Sequence, residues 1–236
     1  MEQQDKKTLI KAMIFPILFV LILLVVEIII TVANLDPSDF GIKPLSANGL
    51  LGILSAPLIH SGFKHLISNC VPLLILGTGL FYFYKDIAYK VFFASYFLVG
   101  ILIWLMARGP AAHIGASGIV YSLIAFHLVS ALLRRRKDLA AYSLIVIFLY
   151  GSFIWGFFPE FFPDTNISWQ GHLSGVMVGM ILGFYFKDKG PQHETYIWEE
   201  DEDEDNENDI SISDAKPDTK SDTKPVDDAD RRDSIL

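Results

Sequence analysis

The chain has 236 residues, 52% of them hydrophobic, with one cysteine and a formal net charge of −8. So apolar a composition, with a positive mean hydropathy, excludes an ordinary soluble domain of this length, and the lone Cys70 excludes an intramolecular disulfide. The charge is segregated: residues 194–236 carry 17 acidic and 5 basic side chains, net −12, which leaves +4 on residues 1–193, so the acidity belongs to the tail and no basic surface for nucleic acid is present.

In chain order, the apolar runs predict six membrane-spanning helices at about 12–33, 64–84, 88–107, 117–133, 139–158 and 171–187, each near the roughly 20 residues that cross a bilayer core. From Ala12 to Ala33 the only ionisable residue is Glu27, for which the sequence offers no obvious partner. This run is longer than the roughly 7–15 residues of a signal-peptide core and no clear small-x-small cleavage pattern follows, so it reads as a membrane helix. The loop after it, about Asn34 to Gly62, contains an apolar stretch, Leu50 to Ile59, broken by Gly52 and Pro57. That stretch is too short to span and too apolar to be wholly aqueous, which places it in the outer interface or dipping partway into the membrane. The fourth and sixth helices are short and rich in small residues, as interior helices are. The fifth loop, Phe157 to Trp169, is aromatic and proline-rich; a cover over a site and a plain interfacial belt account for it equally. Asn166-Ile-Ser168 matches a three-residue glycosylation sequon. Glu199 to Asp209 holds nine carboxylates, and such a segment buries too little apolar surface to offset its chain entropy. The expected organisation is a cytoplasmic segment 1–11, an all-α six-helix membrane domain 12–190 and a disordered acidic cytoplasmic tail 191–236.

Lysine and arginine set the orientation. Lys6, Lys7, Lys11, Lys85, Lys90, Arg134, Arg135, Arg136, Lys137, Lys187 and Lys189 fall in the segments that share one side of a six-helix topology; Lys43, Lys64 and Arg108 fall on the other. The excess predicts that both termini are cytoplasmic.

Polar side chains inside membrane helices are costly and tend to mark function. Four stand out: His65 and Asn69 on the second helix, Ser117 on the fourth and His172 on the sixth. These helices all run inward from the outer face, and the four residues lie near their N-terminal ends, so connectivity brings them to one level below the outer surface. His65 and Asn69 are i, i+4 and share a face, as do Ser117 and Tyr121. Gly171, Gly175 and Gly179 repeat every four residues, a stripe that admits a close helix neighbour. If that neighbour is the fourth helix, Gly115 and Gly118 ease the approach and His172 comes within reach of Ser117.

The chemistry that fits is nucleophilic. A serine hydroxyl attacks a carbonyl when a base, usually histidine, takes its proton. The oxyanion then needs donors, which His65, Asn69 and the Ser117 backbone N–H at a helix start provide. No carboxylate is expected at this level, so the sequence predicts a Ser-His dyad, with Tyr121 holding the imidazole by stacking or by a hydrogen bond. Taken singly, these residues have plainer readings: Gly115-Ala-Ser-Gly118 as a packing motif, His65 with Asn69 as an interhelical bond, and Tyr121 as core. His113, four residues before Ser117, is a rival base, although a loop role suits its position better. No H-x-x-x-H or H-E-x-x-H pair, phosphate loop or cysteine pair calls for a metal or other cofactor.

Three segments together resemble the rhomboid family of intramembrane serine proteases: His60-Ser-Gly-Phe-Lys-His65-Leu-Ile-Ser-Asn69, Gly115-Ala-Ser117-Gly118 with Tyr121, and Gly171-His172-Leu-Ser-Gly175 with Gly179. The resemblance spans about residues 12–187. It implies Ser117 as nucleophile, His172 as base, His65 and Asn69 as oxyanion donors, Tyr121 as the residue orienting His172, Gly175 and Gly179 as close-packing positions and His60 as a loop anchor. It also implies single-pass membrane proteins as substrates, cut in the outer part of their spans, with the lipid bilayer as the medium; the sequence calls for no cofactor and does not reveal the oligomeric state. Many rhomboids carry a Trp-Arg pair in the first loop where this chain reads Leu50-Leu51-Gly52-Ile53. A prokaryotic plasma membrane suits the compact form and the positive-inside pattern. The alternatives are a rhomboid-like protein that binds or escorts membrane helices without cutting them, disfavoured by the presence of both serine and histidine, and a transporter, which would need midplane charges and internal repeats.

Overall fold

The structure, a computed structural model, describes residues 3–151 and 168–192. Among them, six helices of 14 residues or more follow in order: α1 Gln3–Val32, α2 Phe63–Phe83, α3 Ala88–Met106, α4 Ser117–Arg134, α5 Lys137–Tyr150 and α6 Trp169–Tyr185. They match the six predicted runs in position. Helix α1 starts nine residues earlier than predicted, because Lys6, Lys7 and Lys11 continue the helix beyond the apolar stretch. By length and composition α1, α2, α3 and α4 are long and apolar enough to cross a membrane; the described parts of α5 and α6, 14 and 17 residues, fall short of that length. The chain is an integral membrane protein. The predicted end of the fifth helix near 158, most of the aromatic loop 157–169, the start of the sequon at Asn166 and the acidic segment 193–236 lie outside the described residues.

Burial separates the helices by role. In α1 the buried residues are Ala12, Pro16, Phe19, Leu23, Glu27 and Ile30, one stripe at helical spacing, while Ile14, Leu18, Leu21, Val25 and Ile29 are exposed. An apolar helix with a single buried stripe has lipid against its remaining faces. Helix α4 is different: 67% of its 18 residues are buried, against 28%, 44% and 39% of an 18-residue apolar window in α1, α2 and α3. The short, small-residue helix is therefore the centre of the bundle, as the sequence implied.

Close packing there depends on glycine. A methyl at Gly175 would run into the Gly118 carbonyl and come 2.9 Å from Tyr121 Cβ; at Gly179 it would meet the Ser122 carbonyl and Ala125 Cβ; at Gly183 it would come 2.7 Å from Val129. So α6 lies backbone-to-backbone on α4. The stripe is one turn out of place relative to the expectation. Gly171 faces Ser168 and Ile103 of α3, and Gly183 extends the contact with α4 instead. The apolar stretch of the first loop folds into a single helical turn, Gly52–Ser55, followed by a 3-10 turn at Ala56–Leu58. It is tied to α3 by Tyr96 Oη donating to the Leu54 carbonyl and by Ile53 packed against Gly100. Leu51 and Leu54 point outward. Gly52 is buried, and a side chain there would strike the Gly41 backbone.

Candidate active site

Ser117 opens α4, half-buried. The chain reaches it through Gly115, whose φ of +103° suits glycine alone. Gly115 donates its N–H to the Ala56 carbonyl at 2.8 Å, fixing the turn to the first loop. Next to it, the Ala116 N–H donates to His60 Nε2 at 3.4 Å. His60 is fully buried, and burial pushes its imidazole down to about 4, with nearby His65 adding to the effect. Accepting from Ala116 assigns the His60 hydrogen to Nδ1. His60 thus anchors the residue before Ser117, which is the loop-anchoring place expected for it.

His65 and Asn69 lie on α2 facing this turn. His65 Nδ1 accepts from the Ser61 N–H at 3.4 Å and lies 3.2 Å from Ser61 Oγ. The hydrogen bond assigns the ring proton to Nε2. That Nε2 lies 2.9 Å from where a Gly115 side chain would begin. Gly115 therefore does not ease the approach of α6, as expected; its missing side chain makes room for His65. Asn69 is buried and donates one amide hydrogen to the His65 carbonyl at 3.1 Å. Its Nδ2 is 3.9 Å from the same Gly115 position.

His172 lies in the first turn of α6, buried, with its ring stacked on Tyr121 at 4.1 Å between centroids and 15° between planes. The preceding Gly171 carbonyl is 3.4 Å from the Gly118 side-chain position. The residues flanking Ser117 and His172 thus face each other across the α4–α6 seam. A cavity of about 20 Å³ opens there, lined by Ser117, Gly118, His113, Ser168, Gly171 and Tyr96 among others. That is room for about one water molecule.

Residues 47–189 match the family model described as the Rhomboid domain. The chain belongs to the rhomboid family. An uncharacterised protein of Mycobacterium tuberculosis is 36% identical over 176 residues, 70% of this chain and 71% of its own. One of Mycobacterium leprae is 32% identical over 193 residues, 77% and 73% of the two chains. Rhomboid-related protein 2 of Mus musculus is 27% identical over 139 residues, 56% of this chain and 46% of its own.

Two features of this rhomboid escape a reading of its sequence. Glu27 is buried, with its carboxylate turned toward the backbone N–H of His60. A carboxylate therefore does lie beside the loop anchor of the site, contrary to expectation, because the first loop folds back over α1. The second feature is a pair. His113 joins the first loop through two backbone bonds with Ile42, each 2.9 Å, and its Nδ1 lies 2.6 Å from Ser168 Oγ. Ser168 is the N-cap of α6, accepting from the Gly171 N–H at 3.1 Å. Burial holds the His113 imidazole below its usual range. Ser168 was legible as a cap from its place just before an apolar helix; its distant partner was not.

Proposed function

We propose that this rhomboid is an intramembrane serine endopeptidase that cuts transmembrane segments of other membrane proteins near the outer face of the bilayer. In this reading six helices span, both termini are cytoplasmic, and residues 191–236 form a disordered tail. The observation that carries it is the stack of Tyr121 on His172 across a glycine-packed seam, with Ser117 at the start of the facing helix and a water-sized cavity beside it.

The chemistry follows from that arrangement. Ser117 Oγ attacks the scissile carbonyl while His172 takes its proton; the C–O bond forms and the carbonyl oxygen becomes an oxyanion. The Ser117 and Gly118 N–H groups, ahead of the first helical bond that Ile119 donates to the Ala116 carbonyl, lie at the positive end of the α4 dipole. Together with His65 Nε2–H and the Asn69 amide they stabilise that charge. His172 then protonates the departing amine as the C–N bond breaks. Water, deprotonated by His172, attacks the acyl-enzyme and regenerates Ser117. Tyr121 supplies what an acid supplies in a triad, a fixed ring orientation, without adding a buried charge.

A substrate helix shields its own peptide bonds, so it must unwind locally to present a carbonyl to Ser117, which favours segments with small or helix-destabilising residues. The test is cleavage of a reporter transmembrane substrate by the purified protein and its Ser117→Ala and His172→Ala variants. Cleavage by the wild type alone supports the dyad. Cleavage by Ser117→Ala rules out the serine mechanism. Tight binding of substrates with no cleavage by any form moves the assignment to a helix-binding protein.

A further inference from the structure

At the start of α6 the Gly171 and His172 N–H groups both donate to the Ser168 carbonyl, at 3.0 and 3.2 Å. The Gly171 N–H is shared with Ser168 Oγ at 3.1 Å, which completes the cap. A serine cap can rotate to solvent, and then the first turn frays. Here it is held from outside the helix, because His113 Nδ1 lies 2.6 Å from the same oxygen. His113 is itself fixed at both ends. Its backbone pairs with Ile42 in the first loop, and Gly41 beside it leaves room for Ala112 and Ile114, each 2.9 Å from the position a Gly41 side chain would take. In the other direction it leads in four residues to Ser117.

His113 therefore touches the first loop, the segment carrying Ser117 and the cap of the helix carrying His172. Its ring is buried, lines the cavity at Ser117, and its Nε2 has no hydrogen-bond partner among the described residues. Among the described residues, the only polar side chain it grips is the cap.

We infer that the His113–Ser168 hydrogen bond is a positioning tie that sets the first turn of α6, and with it His172, against Ser117. The inference rests on the protease reading above. In this role His113 acts through the cap, and His113→Asn, which keeps a polar group but cannot serve as a base, separates it from the rival base its spacing from Ser117 allowed. The tie acts on the nucleophile–base distance and not on how a substrate helix binds. Misplacement of a reacting group by about 1 Å can cost about 10²-fold in rate, so a loosened turn is visible even when the protein stays folded.

The experiment uses the full chain in detergent or liposomes. A fluorophosphonate reports on the dyad alone: Ser117 Oγ displaces fluoride at phosphorus, with its proton passing to His172, and no substrate helix has to unwind. Ser168→Ala and His113→Phe are each expected to slow this reaction about 10-fold or more. They should lower kcat for a reporter substrate with little change in KM, while the thermal midpoint stays close to that of the wild type. Ser168→Thr keeps the hydroxyl, and His113→Asn puts an amide where Nδ1 was; both should restore most of the rate. The double variant, Ser168→Ala with His113→Phe, should be no slower than the worse single variant, since both remove one bond. Wild-type labelling rates in both single variants overturn the inference and leave the protease reading intact. So does slowing that multiplies in the double variant. A wild type that is never modified at Ser117 sinks the protease reading and this inference with it.

Discussion

The two ends of α4 are held by different chemistry. At its C-terminal end a permanent cation satisfies carbonyls. Arg134 is buried and donates from one Nη to the Phe186 carbonyl at 2.5 Å and the Lys189 carbonyl at 2.8 Å, with its guanidinium 5.2 Å from the centroid of the Tyr84 ring. Arg135, with φ +52°, stops the helix, and Arg136 pairs with Asp138 at 2.7 Å. At the N-terminal end no permanent charge touches Ser117. Imidazoles, backbone amides and a water-sized cavity lie around it, and the buried carboxylate among the described residues, Glu27, is turned toward the His60 backbone. The helix dipole explains the division: the C-terminus favours a cation, and the N-terminus offers positive potential to a transient anion. A fixed anion at Ser117 would occupy the place where charge must develop only during reaction.

That contrast can be broken or sharpened by substitution. The largest effect is expected at the N-terminal end, where Ser117→Ala or His172→Ala should lower reporter cleavage at least about 10³-fold with the thermal midpoint little changed. Next comes the seam between the ends. Gly179→Val sets a branched side chain into the Ser122 carbonyl and Ala125, which should cost more than about 3 kcal/mol of stability and abolish activity, seen as loss of the folded species in thermal unfolding. At the C-terminal end, Arg134→Leu strands two carbonyls and should cost about 3 kcal/mol, while the folded fraction still reacts with a fluorophosphonate at the wild-type rate. A slowed reaction would mean that the two ends are coupled.

A smaller effect is a pH dependence. His60 is neutral in the fold, with its pKa down at about 4 against about 6.5 when unfolded. Between these values the unfolded chain binds more protons, so stability should be full above about pH 6.5, fall by up to about 3 kcal/mol as pH drops toward 4, and level off below. His60→Gln should flatten this slope in pH-dependent unfolding, the remainder belonging to other buried histidines such as His113. The smallest effect belongs to the exposed Arg136–Asp138 pair: Asp138→Ala should change stability by less than about 1 kcal/mol, within the scatter of unfolding measurements.

Much of this was legible in the sequence. Apolar runs placed the helices, and the positions of His65, Asn69, Ser117 and His172 near the N-terminal ends of alternate helices singled them out together. Spacing of four found the Gly175–Gly179 contact and the Tyr121 partner for His172. The exceptions share a cause. Gly115 was assigned to the wrong neighbour, Glu27 was left without a partner and His113 was separated from Ser168, because in each case the contact is made by a loop. Helical periodicity says which residues share a face, but nothing local says where a loop returns.

The sequence by itself determined the membrane and the helices, since these follow from the hydropathy and period carried by each segment alone. Only the tertiary structure decided how the groups are held. The first loop folds over α1 and α3 to bring Glu27 to His60 and Ile42 to His113, and the α4–α6 seam closes until ring stacks on ring. Those contacts join residues from about 30 to 70 positions apart, and the interactions that select them, backbone hydrogen bonds and glycine-limited close packing, exist only once the helices have met.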